Sequence, residues 1–155
     1  MTPWTKALTA AVVLLGCAAG TKAAQQPDRS GSRFEVRRAE DKPGEGLTEA
    51  TVVGSARKVY LHREAALTGR DVTEARATVD GTNEPAVEIT LTEEGRKKLA
   101  KLTEGHQGKP LAILVNGKVL SAPVVRGTIS QGKALISGRF TKAEAETIAK
   151  GIAGK

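Results

Sequence analysis

The stretch Lys109–Ala145, KPLAILVNGKVLSAPVVRGTISQGKALISGRFTKAEA, carries the strongest structural signals of the chain. Its apolar run Leu111–Val115 leads directly into Asn116-Gly117, the dipeptide that best suits a two-residue hairpin turn because both turn positions need a positive φ. After a turn at Ile129–Gly132, a second short apolar strand is predicted at Ala134–Ile136. The stretch therefore predicts a buried strand that folds back on itself, followed by another strand of the same domain.

The end of this stretch contains the clearest helix start in the sequence. Thr141 and Glu144 have the spacing of a T-x-x-E capping box, in which each side chain bonds to the backbone of the other residue. The apolar residues that follow recur at the spacing of one helix face, and they are Ala145, Ile148, Ala149 and Ile152. A closing helix is therefore predicted to begin at Thr141.

Alternating apolar and polar residues predict three earlier strands, over residues 33–37, 58–61 and 85–92. The last of these alternates most regularly, with Val87, Ile89 and Leu91 facing the core and Glu88, Thr90 and Thr92 facing water. Gly, Pro and Glu predict a loop over residues 41–49.

Two earlier helices are predicted from capping residues and apolar spacing. Asp71 and Glu74 have a capping-box spacing, and Val72, Ala75 and Val79 share a helix face, so a short helix is expected over residues 71–79. Thr92 is expected to cap a second helix with acidic residues in its first turn. Its inner face contains Gly95, Leu99 and Leu102, and the glycine would allow close packing on the sheet.

These elements predict one compact α+β domain with a mixed or mostly antiparallel sheet and helices packed on one face. The chain has 155 residues, of which 39% are hydrophobic, and this length supports one domain.

Several segments, in one order, resemble the head subdomain of the first periplasmic domain of SecD, a membrane subunit that assists protein export. These segments are 67–72 (LTGRDV) with Ala75, 87–91 followed by Gly95, 108–119 with Ser121-Ala122-Pro123, and 136–141 (ISGRFT) with Glu144-Ala145. The resemblance extends from Phe34 to Ile152. It implies a SecD-head-like fold and contact with unfolded exported preproteins. The sequence has no apolar run of about twenty residues, so we do not expect this polypeptide to perform the family's membrane-embedded, proton-coupled work.

The N-terminal residues have the layout of a bacterial export signal. Lys6 precedes the apolar stretch Ala7–Leu15, and Leu-Leu-Gly-Cys follows as in a lipoprotein signal, so residues 1–16 are predicted to be the signal peptide and Cys17 the lipid-attached anchor. The alternative is an ordinary secretory signal cut near Ala23, which would discard Cys17. Residues 17–32 are predicted to be a flexible tether, and residues 33–155 the folded domain.

The formal net charge of +7 falls to +6 when residues 1–16, which contain one lysine, are removed. Basic residues alternate with glutamates and only 3% of the residues are aromatic, so a solvated surface is favoured over a nucleic-acid interface.

We expect no catalytic, metal-binding or cofactor-binding residues. His62 and His106 lie far apart without metal-ligand spacing, and both are expected to be exposed to solvent. Ser121 lacks a nucleophile-elbow motif and reads as a turn residue. The Gly-rich segment 105–109 precedes a strand rather than a helix, so it indicates a helix end rather than a phosphate loop. The carboxylates Glu88, Glu93 and Glu94 show no catalytic pairing.

One candidate binding surface is the segment Ser121, Ala122, Pro123, Val124 and Val125. Proline has no N–H to donate, so Pro123 is expected either to interrupt a strand ladder or to lie at a strand edge. An exposed edge beside Val124 and Val125 would pair with an extended peptide by strand addition. The alternative is that Pro123 only protects this edge from aggregation.

The sequence thus predicts a non-catalytic protein- or peptide-binding module of the bacterial envelope, held at the membrane through Cys17 and facing the periplasm. The residues after Cys17 favour the outer membrane. The expected partners are unfolded exported proteins or other envelope proteins. The alternatives are a structural or stress-related envelope lipoprotein that assembles with protein partners, and an enzyme acting on the cell wall.

Overall fold

The computed structural model describes residues 33–153, which form two antiparallel sheets and two helices. The strands are β1 (Phe34–Glu40), β2 (Thr48–Thr51), β3 (Lys58–Thr68), β4 (Val72–Val79), β5 (Pro85–Leu91), β6 (Leu111–Val115), β7 (Lys118–Ser121) and β8 (Lys133–Ser137). The helices are α1 (Glu93–Glu104) and α2 (Lys142–Ala153). The α+β class is confirmed, with the strands divided between two sheets. The predicted signal (1–16), Cys17 and the tether (17–32) lie outside the described residues.

Sheet A contains five strands in the order β2-β3-β1-β6-β7. β6 lies in its interior, with Ile113 opposite Val36 of β1, and all five residues of β6 are buried. They are buried because an apolar cluster covers each face of the sheet. We call the cluster between the sheets and helices the main core, and it includes Phe34, Leu67, Val87, Ile113 and Ile136. The second core, on the other face, consists of Ala39, Val52, Val59, Leu61, Ala112, Leu114, Val119 and Ala122.

The predicted hairpin at Asn116-Gly117 connects β6 to β7. Both residues adopt a positive φ, of 52° at Asn116 and 78° at Gly117. The backbone N–H of Asn116 donates to the carbonyl of Arg33 at 2.8 Å, and the N–H of Arg33 donates to Asn116 Oδ1 at 2.9 Å. The turn therefore also fixes the start of β1.

Sheet B contains three strands in the order β4-β5-β8, and α2 packs on β4 and β5. The main-core side chains of β5 are Val87, Ile89 and Leu91, as predicted. The capping pair of α2 is confirmed, because the Thr141 N–H donates to Glu144 Oε2 at 2.7 Å and the Glu144 N–H donates to Thr141 Oγ1 at 3.3 Å.

The predicted helix over residues 71–79 is wrong, because residues 72–79 form β4. A 3-10 turn at Gly69–Asp71 connects β3 of sheet A to β4 of sheet B, and Asp71 Oδ2 accepts the N–H of Thr68 at 2.9 Å. β4 then pairs along β5, from Val72 opposite Leu91 to Val79 opposite Pro85. Sheet pairing and main-core contacts outweigh the local helical spacing here.

One strand prediction and one loop prediction also need correction. The strand predicted over residues 58–61 continues to Thr68 as β3, and the loop predicted over residues 41–49 already enters β2 at Thr48. β3 is irregular where it pairs with β1, with register shifts between Val36 and Arg37 and between Arg37 and Ala39. These irregularities interrupt the alternation by which strands are recognised in a sequence.

Helix α1 begins as predicted, since the Thr92 side chain accepts the N–H of Gly95 at 2.9 Å. Gly95 allows close packing, but its neighbour is the 3-10 turn: a Cβ at this position would overlap the carbonyl oxygen of Asp71. Lys98 Nζ lies 2.7 Å from Asp71 Oδ1, and this contact raises the pKa of Lys98. Neither α1 nor α2, the two helices of residues 33–153, is long and apolar enough to cross a membrane.

Candidate functional site

A shallow groove of about 290 Å³ lies where three parts of the chain meet. The first wall is formed by the residues that come after β2 in the chain. The second is formed by the end of β7 and the residues after it, and the third by the connection from β8 to α2. The groove is lined by Val52, Val53, Ser55, Arg57, Leu120, Ser121, Ala122, Pro123, Gly138 and Arg139. Because most of these side chains are apolar or small, the groove suits apolar side chains of a partner.

The groove follows the line along which the residues after β2 meet the outer edge of β7, and we call this line the seam. Val52 forms a parallel bridge with Val119, and the Val53 N–H donates to the Val119 carbonyl at 2.8 Å. The residues after β2 therefore reach around to the outer edge of β7 and cover part of it. The side chain of Val53 remains 45% exposed at this position.

Arg57 ties the two walls of this seam together. Its Nη1 donates to the Ala122 carbonyl at 2.9 Å, and its Nη2 donates to Asp41 Oδ1 at 2.9 Å. Two bonds in different directions fix the guanidinium, and one of them satisfies a carbonyl that a central strand would use in a ladder. The Arg57 guanidinium therefore supplies the Ala122 carbonyl with the donor that a neighbouring strand would otherwise provide.

The third wall contributes a glycine and a second arginine. A Cβ at Gly138 would overlap the ring of Phe140 and would lie 3.3 Å from the Leu120 carbonyl, so this connection packs tightly against β7. Arg139 Nη1 donates to the Gly54 carbonyl at 3.2 Å, across the groove.

The predicted binding edge is divided between this groove and the main core. Ser121, Ala122 and Pro123 line the groove. Val124 is exposed, as predicted, but Val125 is only 7% exposed and belongs to the main core, so the expectation that Val125 is exposed is wrong.

Burial of Val125 follows from backbone pairing with the segment before β6. The Val125 N–H donates to the Lys109 carbonyl at 3.0 Å, and the Val125 carbonyl accepts the Gly108 N–H at 2.9 Å. The Leu111 N–H also donates to the Pro123 carbonyl at 2.9 Å. Residues 123–125 therefore already have a partner strand on one side.

The two histidines differ in exposure. His62 is partly exposed, 3.5 Å from Glu40 Oε1. His106 is buried, so the prediction that it is exposed is wrong: its Nε2 lies 3.2 Å from the Ala39 carbonyl and 3.1 Å from the Pro110 carbonyl. Those two carbonyls lie at the junction of β1 and the segment before β6, where the Ala39 N–H also donates to the Pro110 carbonyl at 3.1 Å. His106 therefore adds a side-chain donor to this junction.

Glu40 lies beside both histidines. Lys109 Nζ is 3.0 Å from Glu40 Oε1, and this contact is the main cause that lowers the pKa of Glu40, with smaller contributions from His62 and His106. No group of three or more His, Cys, Asp or Glu side chains within residues 33–153 is arranged to hold a metal ion.

The Gly-rich segment and two of the three carboxylates considered for chemistry have structural roles. Gly105 is the C-cap of α1 and Gly108 has a φ of 77°, as expected for a helix end rather than a phosphate loop. Glu93 pairs with Arg96, which lowers the pKa of Glu93 to about 2, and Glu88 pairs with Arg76.

The sequence matches the family model described as "SecDF, P1 head subdomain" over residues 40–154. Two of its relatives are the protein translocase subunit SecD of Rhodobacter capsulatus, 41% identical over 83 residues, and SecDF of Thermus thermophilus, 45% identical over 83 residues. Each match covers 54% of this chain. It covers only 15% of the Rhodobacter protein and 11% of the Thermus protein, so the chain spans a small part of these relatives.

Two solved structures share the fold. A structure of SecDF in a super-membrane-facing form has a TM-score of 0.66 at 30% identity, covering 81% of this chain and 19% of that one. A structure of SecDF described as a membrane component that enhances protein export has a TM-score of 0.65 at 30% identity, covering 81% of this chain and 63% of that one.

Proposed function

Since the chain belongs to the SecDF P1 head subdomain family, we propose that it binds extended segments of unfolded exported proteins on the outer side of the cytoplasmic membrane. The observation that carries this proposal is the apolar groove along the seam between Val53 and Ser121–Pro123. Binding without catalysis is the proposed activity.

The groove suits an extended chain better than a folded surface. It is open and shallow, and one of its walls is the extended end of β7 with the residues after it. The wall after β2 is a turn, in which the Ser55 N–H donates to the Val52 carbonyl at 3.1 Å. An extended segment exposes alternate side chains on each face, so one set can enter the groove while its backbone follows the edge.

Backbone hydrogen bonds already present beside the groove limit the contribution that strand addition can make to peptide affinity. The Val119 carbonyl already accepts from Val53 and the Ala122 carbonyl from Arg57, so a peptide would have to compete with these donors. Apolar contact with the groove is therefore proposed as the larger contribution, and Ser121, Ala122 and Pro123 as the part of the predicted edge that touches the peptide. The exposed Val124 would extend the contact beyond the groove.

We also propose that residues 1–16 direct export, that Cys17 is lipid-attached and that residues 17–32 tether the domain in the periplasm, with the outer membrane as the favoured location. The layout of the sequence supports this arrangement. Labelling cells with a fatty-acid analogue tests it: the label should be attached to the wild-type protein and absent from Cys17→Ala. Equal labelling of both would contradict the anchor.

Binding is measured by titrating the purified protein into a fluorescent, permanently unfolded exported protein. Val53→Lys places a charge in the groove wall, and we expect affinity to fall about tenfold or more. The matched control is Val79→Lys, because Val79 is 53% exposed on β4, against 45% for Val53, and does not line the groove. Thermal unfolding should show that both variants are folded.

Two results would contradict the proposal. One is the absence of wild-type binding at high micromolar concentration. The other is an equal loss of affinity in Val53→Lys and Val79→Lys, which would place binding outside the groove.

A further inference from the structure

The charged residues that line the groove are both arginines. Arg57 lies on the first wall and Arg139 on the third, and no lining residue carries a carboxylate. The nearby carboxylate bonded to this pair is Asp41, which lies 2.9 Å from Arg57. An apolar surface bordered by positive charge attracts a partner of opposite charge.

The two arginines differ in how fully they are engaged. Arg57 has both terminal nitrogens bonded, one to Asp41 and one to the Ala122 carbonyl. Its charge is therefore partly neutralised and its geometry is committed to the seam. We assign it a positioning role.

Arg139 is engaged by one neutral group. Its hydrogen bond in residues 33–153 goes from Nη1 to the Gly54 carbonyl, and it takes part in no ion pair within that range. A guanidinium has five N–H donors in a planar fork, so a carbonyl leaves most of them available. That fork fits both oxygens of a carboxylate.

We propose that the groove selects extended segments in which small apolar residues are followed or preceded by Asp or Glu, with the acidic side chain bound by Arg139. This inference rests on the proposed function and adds the class of segment that is bound. The apolar residues contact the groove lining around Leu120 and Ala122, and the carboxylate lies at the wall formed by Arg139.

The size of the preference follows from the exposure of the site. Arg139 is an exposed residue, so water and salt screen its charge. An exposed ion pair contributes at most about 1 kcal/mol, and the expected preference for Glu over Gln is therefore about fivefold. Lysine at the same position should bind less tightly than glutamine because it meets a like charge.

The test uses three peptides with acetylated and amidated ends, so that no terminal carboxylate competes with the side chain. They share one sequence of small apolar residues and differ at one position, which is Glu, Gln or Lys. For the wild-type protein we expect affinity to decrease in that order. Arg139→Gln should abolish the difference between the Glu and Gln peptides, and Arg139→Lys should retain part of it.

Arg76→Gln is the matched control for total charge. Arg76 is exposed on sheet B, where it pairs with Glu88, and its loss changes the net charge as much as the loss of Arg139. The control should keep the wild-type preference. Equal loss of preference in Arg76→Gln and Arg139→Gln would overturn the inference in favour of attraction by net charge.

The outcomes separate the inference from the proposed function. If the wild type binds all three peptides equally, the acidic preference is wrong while peptide binding stands. If it binds none of them and also fails to bind the unfolded exported protein, the proposed function is wrong as well.

Discussion

Sheet A and sheet B use similar antiparallel strands but bury different amounts of their surface. Sheet A has the main core on one face and the second core on the other. Sheet B buries one face under α2 and exposes the other, where Arg76, Glu88 and Leu135 lie on neighbouring strands. A sheet buried on both faces has no free face for a partner, so the binding surface of sheet A is proposed at its seam.

The difference also indicates where the molecule is vulnerable. Residues on the second face of sheet A should matter for stability, whereas residues on the outer face of sheet B should not. The substitutions below test this contrast from the largest expected effect to the smallest.

Truncating one apolar residue on each of these two faces should give the largest difference in the free energy of unfolding. Val59 is fully buried in the second core, and Val59→Ala should lower the free energy of unfolding by about 2 kcal/mol through lost burial and a residual cavity. Leu135 is 46% exposed on β8, and Leu135→Ala should change the free energy of unfolding by less than about 0.5 kcal/mol. Urea unfolding of both variants measures the contrast, and equal effects would show that the second core adds little.

The junction between the sheets should give the next largest effect. Alanine has a higher helix propensity than glycine by about 1 kcal/mol, so Gly95→Ala would stabilise an isolated helix. Here its Cβ would overlap the Asp71 carbonyl, and we expect a net loss of about 1–2 kcal/mol as α1 moves away from the 3-10 turn.

Gly105→Ala is the control for Gly95→Ala. Gly105 ends the same helix with an ordinary negative φ, and a Cβ there would meet only the Lys101 carbonyl at 3.6 Å. Chemical denaturation should show little change for this control. Stabilisation by Gly95→Ala would mean that the turn yields freely and does not couple the two sheets.

The smallest effect concerns carboxylates at the N-terminal ends of α1 and α2. The Thr141 N–H and hydroxyl lower the pKa of Glu144, and Arg96 lowers that of Glu93 to about 2. A carboxylate with a lowered pKa in the folded state stabilises the fold above its unfolded pKa, and this contribution is lost as pH falls through the folded value. Stability should therefore decline as pH falls from about 4.5 towards about 2.

Glu144→Gln isolates the contribution of the α2 cap to this decline. Glutamine still accepts from Thr141 but does not titrate, so the variant should lose less stability on acidification than the wild type. Glu146→Gln, at an exposed position of the same helix outside the capping pair, should behave like the wild type. An unchanged acid dependence in Glu144→Gln would show that the cap contributes nothing to it.

Local signals predicted those elements that local interactions determine. Asn116-Gly117 specifies its turn through backbone conformation, and the caps at Thr92 and Thr141 are formed by residues three positions apart. The spacing of Val72, Ala75 and Val79 fits a helix face and not a regular strand, in which residues three apart point to opposite faces. Val72 and Ala75 both pack on the main core because the pairing of β4 with β5 shifts register between Val72 and Glu74, and this pairing is not local.

Distant contacts also explain the errors at the candidate site. His106 lies in a Gly-rich segment typical of an exposed loop, but the carbonyl of Ala39, 67 residues away, holds it inside. Val53, Arg57 and Arg139 reach the groove beside Pro123 only through the fold. The pairing of Val125 with Lys109 is not visible in the sequence, so no local signal separates Val125 from its exposed neighbour Val124.

Strand β6 has a further consequence for the unfolded chain. Five consecutive apolar residues, with no charge and no proline among them, form the kind of segment that associates with copies of itself when it is exposed. Pro110 precedes it and Asn116-Gly117 follows it, and neither a proline nor a tight turn extends a ladder. The same residues that shape the hairpin therefore limit how long an intermolecular strand can grow before the domain has folded.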